Sequence, residues 1–390
     1  MPDKKHTLTI LHLITKMAVG GAQMNTLISC REISKMGYPS AVLTGPEISP
    51  EGTFSDLSEK YGVPVFTAPH LVRKLSPYHD IKAFFEIKEI IEKNSFSIVH
   101  THGSKAKFLG RLAAACARTP VKIVQTVHGW SFFETMPIFQ KAFYSLLEKV
   151  GYKLADSNIV VSPHDIKKGV NWGIGKPEDY QLIRSGVEFE AFFAQRGNGT
   201  AARVRIGLPP NDPVVGTVIR LASQKHPEAI VDVAEKVKES FPNVKFVIVG
   251  DGPLHNYMEQ YISEREMKDN FVMLGSRKDV AEILPAFDVF LLTSRSEGLP
   301  RAMLEALAVK IPVVATDVGG IAELINGLKN GFLCAHGDIN CLADGVGKLL
   351  ASTELREKML STVDQDLAPF SARIMVEQLF QLYTFLVKNM

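Results

Sequence analysis

Four consecutive apolar residues, Val289-Phe-Leu-Leu292, lead into a polar loop, Thr293-Ser-Arg-Ser-Glu-Gly-Leu-Pro300, and then into a helix-forming stretch through Ala308. A short apolar run without alternation is a strand buried on both faces, and such strands belong to parallel sheets flanked by helices. The pattern repeats at once: Ile311-Pro-Val-Val-Ala-Thr is a strand, Asp317-Val-Gly-Gly a turn and Ile321-Ala-Glu-Leu-Ile325 a helix. Consecutive strand–loop–helix units require an α/β fold. Pro300 suits the first helical position, so the orphan amides near Gly298 and Leu299 point into the loop, where they and the helix dipole attract phosphate. The carboxylates of Glu297 and Glu305 cannot bind phosphate but accept hydrogen bonds from sugar or ribose hydroxyls. One loop therefore has the groups to hold a diphosphate and two sugars. An isolated pair of acids at this spacing is ordinarily a solvated loop residue and a surface helix residue; the repeated unit around it argues otherwise.

Alternation of strands and helices runs through all 390 residues. A first series of strands is predicted at 8–14, 40–43, 63–66, 98–100, 122–126, 159–161 and 180–183. A second is predicted at 214–219, 245–249, 271–274, 289–292, 313–315 and 331–334. This divides the chain into a first Rossmann-like domain (1–193), a linker rich in Arg, Gly, Asn and Pro (194–212), a second such domain (213–368) and a closing helix (369–390). Ligands of such sheets sit at the carboxyl ends of the strands. A formal net charge of only +2 gives no basis for bulk nucleic-acid binding. No apolar run approaches the length of a membrane-spanning helix. The first residues enter a strand without a signal-peptide core. Cys30, Cys116, Cys334 and Cys341 show no CxxC or disulfide spacing and are read as reduced core thiols of a cytoplasmic protein.

The run from Asp288 to Gly331 resembles the donor-site signature of the family 4 retaining glycosyltransferases, which have the GT-B fold. Arg220-Leu-Ala-Ser-Gln-Lys225 resembles that family's G-R-L-x-x-x-K element, which implies that Arg220 and Lys225 neutralise the donor diphosphate as the sugar–phosphate bond breaks. His128-Gly-Trp130 resembles its H-G-F/W element, whose histidine lies beside the donor sugar. Val19-Gly-Gly-Ala-Gln23 resembles its first-domain glycine loop, where Gly20 and Gly21 admit close backbone approach. Leu274-Gly-Ser-Arg-Lys-Asp279 resembles the segment that reads the nucleotide base, giving Ser276 and Arg277. Gly250-Asp-Gly-Pro253 matches a structural turn of the family.

The resemblance implies a catalytic set of Glu297, His128, Arg220 and Lys225, and a donor-binding set of Glu305, Gly298, Leu299, Gly20, Gly21, Ser276 and Arg277. Glu297 is assigned to the transferred sugar and Glu305 to the ribose. It implies two Rossmann-like domains facing each other across a cleft and a final helix returning to the first domain. The implied activity is transfer, with retention, from a nucleotide-diphosphate sugar to a saccharide or lipid-linked saccharide, as in cell-envelope polysaccharide or lipopolysaccharide synthesis. That sugar nucleotide is a co-substrate; no cofactor and no metal are implied. No carboxylate accompanies His128-Gly-Trp130, so the leaving diphosphate, rather than a protein nucleophile, is expected to assist the acceptor. The sequence departs from the family at Gln23 (usually Glu), at His226 after Lys225 (usually Gly), at Arg184-Ser-Gly-Val187 (often N-G-[IV]-D) and at Lys310 (usually Gly), which is expected to form a left-handed cap.

Rival readings are a sugar-nucleotide 2-epimerase, for which no convincing acid/base carboxylates stand in the first domain, and a non-catalytic sugar-nucleotide-binding protein. A nicotinamide enzyme lacks its G-x-G-x-x-G fingerprint. His100-Thr-His102 has no accompanying Cys or carboxylate for zinc and is read, with Lys105, as lining an acceptor cleft. Asp364-Gln-Asp366 is read as a surface pair. Between residues 104 and 176, eleven basic residues face four acids, and Trp130, Phe132, Phe133, Phe139 and Phe143 cluster there. That span is a candidate contact for an anionic membrane surface, placing the enzyme peripherally on the inner face of the plasma membrane.

Overall fold

A computed structural model describes residues 8–16, 21–46, 61–132, 136–328 and 330–390. The chain forms two compact units, one of 1–186 with 372–390, the other of 187–371. The first unit contains strands β1 (Ile10–Ile14), β2 (Ser40–Thr44), β3 (Val65–Thr67), β4 (Ile98–His102), β5 (Lys122–Val127), β6 (Ser157–Val160) and β7 (Tyr180–Leu182). They make one parallel sheet in the order β3-β2-β1-β4-β5-β6-β7. Between β1 and β4 the order reverses, which opens a crevice at the strand ends. The register sets His12 opposite His100 and Ile14 opposite His102.

Helix Gly21–Lys35 packs on one sheet face, and helices Pro77–Asn94, Ser104–Ala115 and Ile138–Lys153 on the other, as right-handed crossovers require. The final helix, Ala372–Lys388, packs on helix Gly21–Lys35. It buries Met375, Leu379, Tyr383 and Leu386 with Ile10, Ile28, Ile98 and Val124, so the closing helix does belong to the first unit.

The second unit contains β8 (Val214–Val218), β9 (Lys245–Val249), β10 (Phe271–Gly275), β11 (Val289–Leu292), β12 (Val313–Thr316) and β13 (Gly331–Cys334), all parallel, in the order β10-β9-β8-β11-β12-β13. Its reversal point lies between β8 and β11. The predicted linker is not one. Helix Gly199–Arg205 lies within it, Ala202 and Leu208 enter the core, and Arg203 bonds to Asp288 at 2.8 Å. The chain instead crosses between units at Gly186/Val187 and Ser371/Ala372, where Val187 pairs with Ser371. A polar composition hid a segment anchored by one arginine.

The cysteine reading is corrected too. Cys334 and Cys341 form a disulfide, because the turn from β13 into helix Ile339–Ala351 brings their Cα atoms to 5.7 Å, and Cys116 is exposed rather than in the core. Among the described residues no helix is long and apolar enough to cross a membrane.

Candidate functional site

In the second unit three loops at the carboxyl ends of β8, β11 and β12 are tied into one structure. The Thr293 hydroxyl donates to the carbonyls of Lys225 (3.2 Å) and His226 (2.9 Å). The Arg295 amide donates to the Gln224 carbonyl at 2.8 Å, and the Gln224 side chain donates to the Ser296 carbonyl at 2.9 Å. Thr316 donates to the Ser294 carbonyl at 2.7 Å, and the Gly320 amide to the Gly298 carbonyl at 2.9 Å. Gly319 sits at φ +61°, where a Cβ would lie 1.7 Å from the Glu297 carbonyl oxygen. Only glycine admits that approach.

This frame fixes Glu297. Lys225 Nζ (2.5 Å) and Ser294 Oγ (2.7 Å) both donate to its Oε1, and its side chain is 8% exposed. Neither bond uses Oε2. Arg220 stands exposed at the end of β8, with no hydrogen bond or ion pair to its side chain among the described residues. The Gly250 turn supports it from below. There φ is +128°, and Cβ atoms at Gly250 and Gly252 would meet the carbonyls of Ile219 and Leu221 at 1.9 and 2.4 Å. His226 adopts φ 48°, ψ 57°, the conformation glycine takes without strain, so the loop keeps its course despite the substitution. Lys310 likewise holds φ 65°.

Pro300 is extended (φ −73°, ψ 105°) and caps the helix, which begins at Arg301, one residue later than predicted. Glu305 lies 3.8 Å from Arg301, one turn earlier. Burial pushes the Glu305 carboxyl above its usual range, against the opposing charge of Arg301. On β10's far end Ser276 is exposed, while Arg277 is committed to Asp279 by bonds of 2.8 and 2.7 Å. Asp364 pairs with Arg196 (2.5 Å) and Lys310 (3.0 Å) on the surface.

In the first unit the expectation for His100 and His102 fails. β4 runs on through His102, so both rings face the core, 1% and 3% exposed, rather than lining a surface. Together with His12 they form a buried row. His12 Nδ1 lies 3.2 Å from His102 Nε2, and His102 Nδ1 lies 3.1 Å from His128 Nε2. His100 bonds to Thr126 (2.7 Å) and Tyr383 (2.5 Å). Burial lowers the pKa of His12 to about 3 and holds His100 and His102 well below the usual range. His12, His100 and His102 are close enough to share a cation. His12 has its Nε2 unbonded among the described residues, but His100 and His102 would do so only by surrendering these bonds, and the cluster contains no carboxylate to offset the charge.

His128 is half-buried at the outer end of this row. Gly129, at φ +112°, turns the chain so that Trp130 drops into the core and donates to the Asp165 carbonyl at 2.8 Å. Lys105 pairs with Asp80. Gly21 opens its helix; Gly20 and Phe133 lie outside the described residues. His12 went unnoticed in the sequence because a lone histidine in an apolar strand carries no signal until the register sets it beside His100.

The comparisons with known proteins agree with this architecture. Residues 200–364 match the model of the family described as glycosyl transferases group 1, and residues 19–191 that of glycosyltransferase family 4. The chain belongs to this glycosyltransferase family and is an enzyme of that class. It is 31% identical over 330 residues (84% of this chain, 85% of the relative) to the UDP-Gal:alpha-D-GlcNAc-diphosphoundecaprenol alpha-1,3-galactosyltransferase of Escherichia coli. It is 25% identical over 325 residues (81% and 84%) to the capsular polysaccharide biosynthesis glycosyltransferase CapM of Staphylococcus aureus. Its fold is that of Anabaena HepE, solved with UDP-glucose, with a TM-score of 0.80 at 21% identity, covering 97% of this chain and 99% of that one. The fold is GT-B.

Proposed function

We propose that the enzyme moves a sugar, with retention of anomeric configuration, from a nucleoside-diphosphate donor to a lipid-linked saccharide in cell-envelope polysaccharide synthesis. The observation that carries this reading is Glu297, held on one oxygen by Lys225 and Ser294 in a frame that Gly319 alone permits. That arrangement leaves a carboxylate oxygen for a sugar hydroxyl and an ammonium beside it for a diphosphate. The Escherichia coli relative, by its name, uses UDP-galactose on a diphosphoundecaprenol-linked sugar, and HepE was solved with UDP-glucose. Both names favour a uridine donor here, and the Escherichia coli relative's alone favours a polyprenyl acceptor.

In the proposed reaction the bond from the anomeric carbon to the diphosphate breaks and its electron pair leaves with the phosphate oxygen. The acceptor oxygen attacks on the same face and its proton passes to the departing diphosphate. Arg220 and Lys225 neutralise the charge that grows there. The Gly298 and Leu299 amides take the phosphate, Glu297 the transferred sugar and Glu305 the ribose. Arg277 is occupied by Asp279, so base recognition falls to the backbone around Ser276. His128 donates to the substrate, and Gly21 admits close backbone approach. The row behind His128 fixes its ring. No metal takes part. The enzyme works in the cytoplasm, at the inner membrane face.

A panel of nucleotide sugars read out by nucleotide release, with the product anomer assigned by NMR, tests the reading. An α-linked product from an α-linked donor is expected. Acceptor-independent appearance of a 2-epimer establishes the epimerase instead, and binding without turnover establishes a sugar-nucleotide-binding protein.

A further inference from the structure

The first unit carries an apolar face that its own fold leaves uncovered. On helix Ile138–Lys153 the side chains of Ile138, Phe139, Phe143, Leu146 and Val150 are 46–72% exposed, and from Phe139 on they recur every three or four residues along one stripe. On helix Pro77–Asn94, Tyr78, Ile81 and Phe85 form a second stripe, each about 60% exposed. Both helices pack against helix Ser104–Ala115 between them, on the same face of the sheet. Nine of the fifteen large apolar side chains exposed among the described residues lie on these two helices or at Leu75 just before them. Apolar side chains gathered on one face in this way mark an interaction site.

Charge identifies the partner. The charged residues of helix Ile138–Lys153 are Lys141, Glu148, Lys149 and Lys153, and Glu148 is turned inward. It is 4% exposed and bonded to Lys107 at 2.8 Å and Ser131 at 2.6 Å. Of this helix's own charged residues, only the lysines therefore reach toward solvent beside the stripe. Along the start of the neighbouring helix Arg73, Lys74 and Lys82 are exposed, Asp80 pairs with Lys105, Glu86 with His70, and the exposed Glu89, one turn beyond Phe85, with Lys93. Apolar side chains rimmed by cations fit a layer of anionic headgroups over acyl chains. A second copy of the same face would set lysine against lysine.

We propose that these two helices dock the enzyme on an anionic lipid bilayer, with Phe139, Phe143 and Leu146 among the headgroups and Lys141, Lys149 and Lys153 against the lipid phosphates. The proposal deepens the lipid-linked acceptor reading, on which it rests for the enzyme's place in the cell. It keeps Phe139 and Phe143 of the aromatic contact expected from the sequence and drops Trp130 and Phe132. Trp130 and Phe132 are 7% and 1% exposed and belong to the core, and Lys107 and Arg111 are buried.

Flotation of the full chain with phosphatidylcholine vesicles, with and without phosphatidylglycerol, at low and high salt tests the face without donor or acceptor, so its outcome is separate from that of the transferase assay. Wild type is expected to float with phosphatidylglycerol vesicles and to be released by salt. The triple variant Phe139→Ser, Phe143→Ser, Leu146→Ser is expected to lose at least tenfold of this binding at an unchanged melting temperature, because all three side chains are exposed. The pair Lys141→Glu, Lys149→Glu is expected to lose binding at low salt. Wild type that does not float on anionic vesicles, or a triple variant that floats as well as wild type, overturns the proposal. So does a wild-type dimer that the triple variant converts to monomer, which assigns the face to a second copy.

Discussion

At the scale of single residues, the shared bonds of Glu297 and Lys225 make their roles separable by mutation. Glu305→Ala is expected to weaken binding of free nucleoside diphosphate by about 1.5–3 kcal/mol, the worth of a hydrogen bond to a charged group. Glu297→Ala removes the carboxylate that occupies Lys225, so diphosphate affinity should not fall while turnover collapses. Calorimetry showing the same loss in both variants would refute the division. Lys225→Ala is expected to lower kcat by a factor on the order of 10²–10³, and wild-type turnover should be indifferent to a chelator. Activity abolished by chelation and restored by magnesium would show that a cation, not Arg220 and Lys225, carries the diphosphate charge.

At the scale of elements, polar groups buried between helices and strands dominate. Lys107 and Arg111 on helix Ser104–Ala115 face Glu148 on helix Ile138–Lys153 at 2.8 and 3.8 Å. Glu148→Ala would leave two buried cations without their anion, a loss of about 3–5 kcal/mol that urea unfolding should register. The histidine row sets a pH dependence. Folding holds His12 near a pKa of about 3, and His100 and His102 also well below 6.5, so the unfolded chain binds more protons below pH 6.5. Stability should be fully present above that pH and fall as pH drops toward 3, by up to about 1.4 kcal/mol per pH unit for each imidazole. Urea midpoints at pH 7.5 and 5.5 check this, and His12→Gln should flatten the slope; a midpoint unchanged between the two pH values would contradict it. The strands themselves were legible, because runs such as Val289–Leu292 are too short for a helix and too continuously apolar for a half-exposed strand. The candidate loop after β11 was legible for the same reason. What escaped were pairings across sequence: Glu297 with a lysine 72 residues earlier, His12 with a strand 90 residues later, and Glu148 with two lysine and arginine positions that looked like surface charge.

At the scale of the molecule, the chain leaves the first unit at Gly186 and re-enters it at Ala372. A Cβ on Gly186 would meet the Cα of Ala372 at 2.6 Å, so the two passages lie side by side. Truncation after Ser371 should strip the cover from Ile10, Ile28 and Ile98 and destabilise the first unit, while nucleotide affinity of the second persists. Separate melting transitions with and without nucleotide would show it; a truncated chain with an unchanged first transition would refute it. The same connectivity orders events on the ribosome. The second unit is continuous, 187–371, and can fold as soon as it emerges. The first must wait for its last helix, which at typical elongation rates arrives about 10–40 s after Gly186 has been made. Through that interval the nascent first unit displays the apolar face later sealed by Met375, Leu379 and Tyr383, and this is the stage at which a chaperone has something to hold.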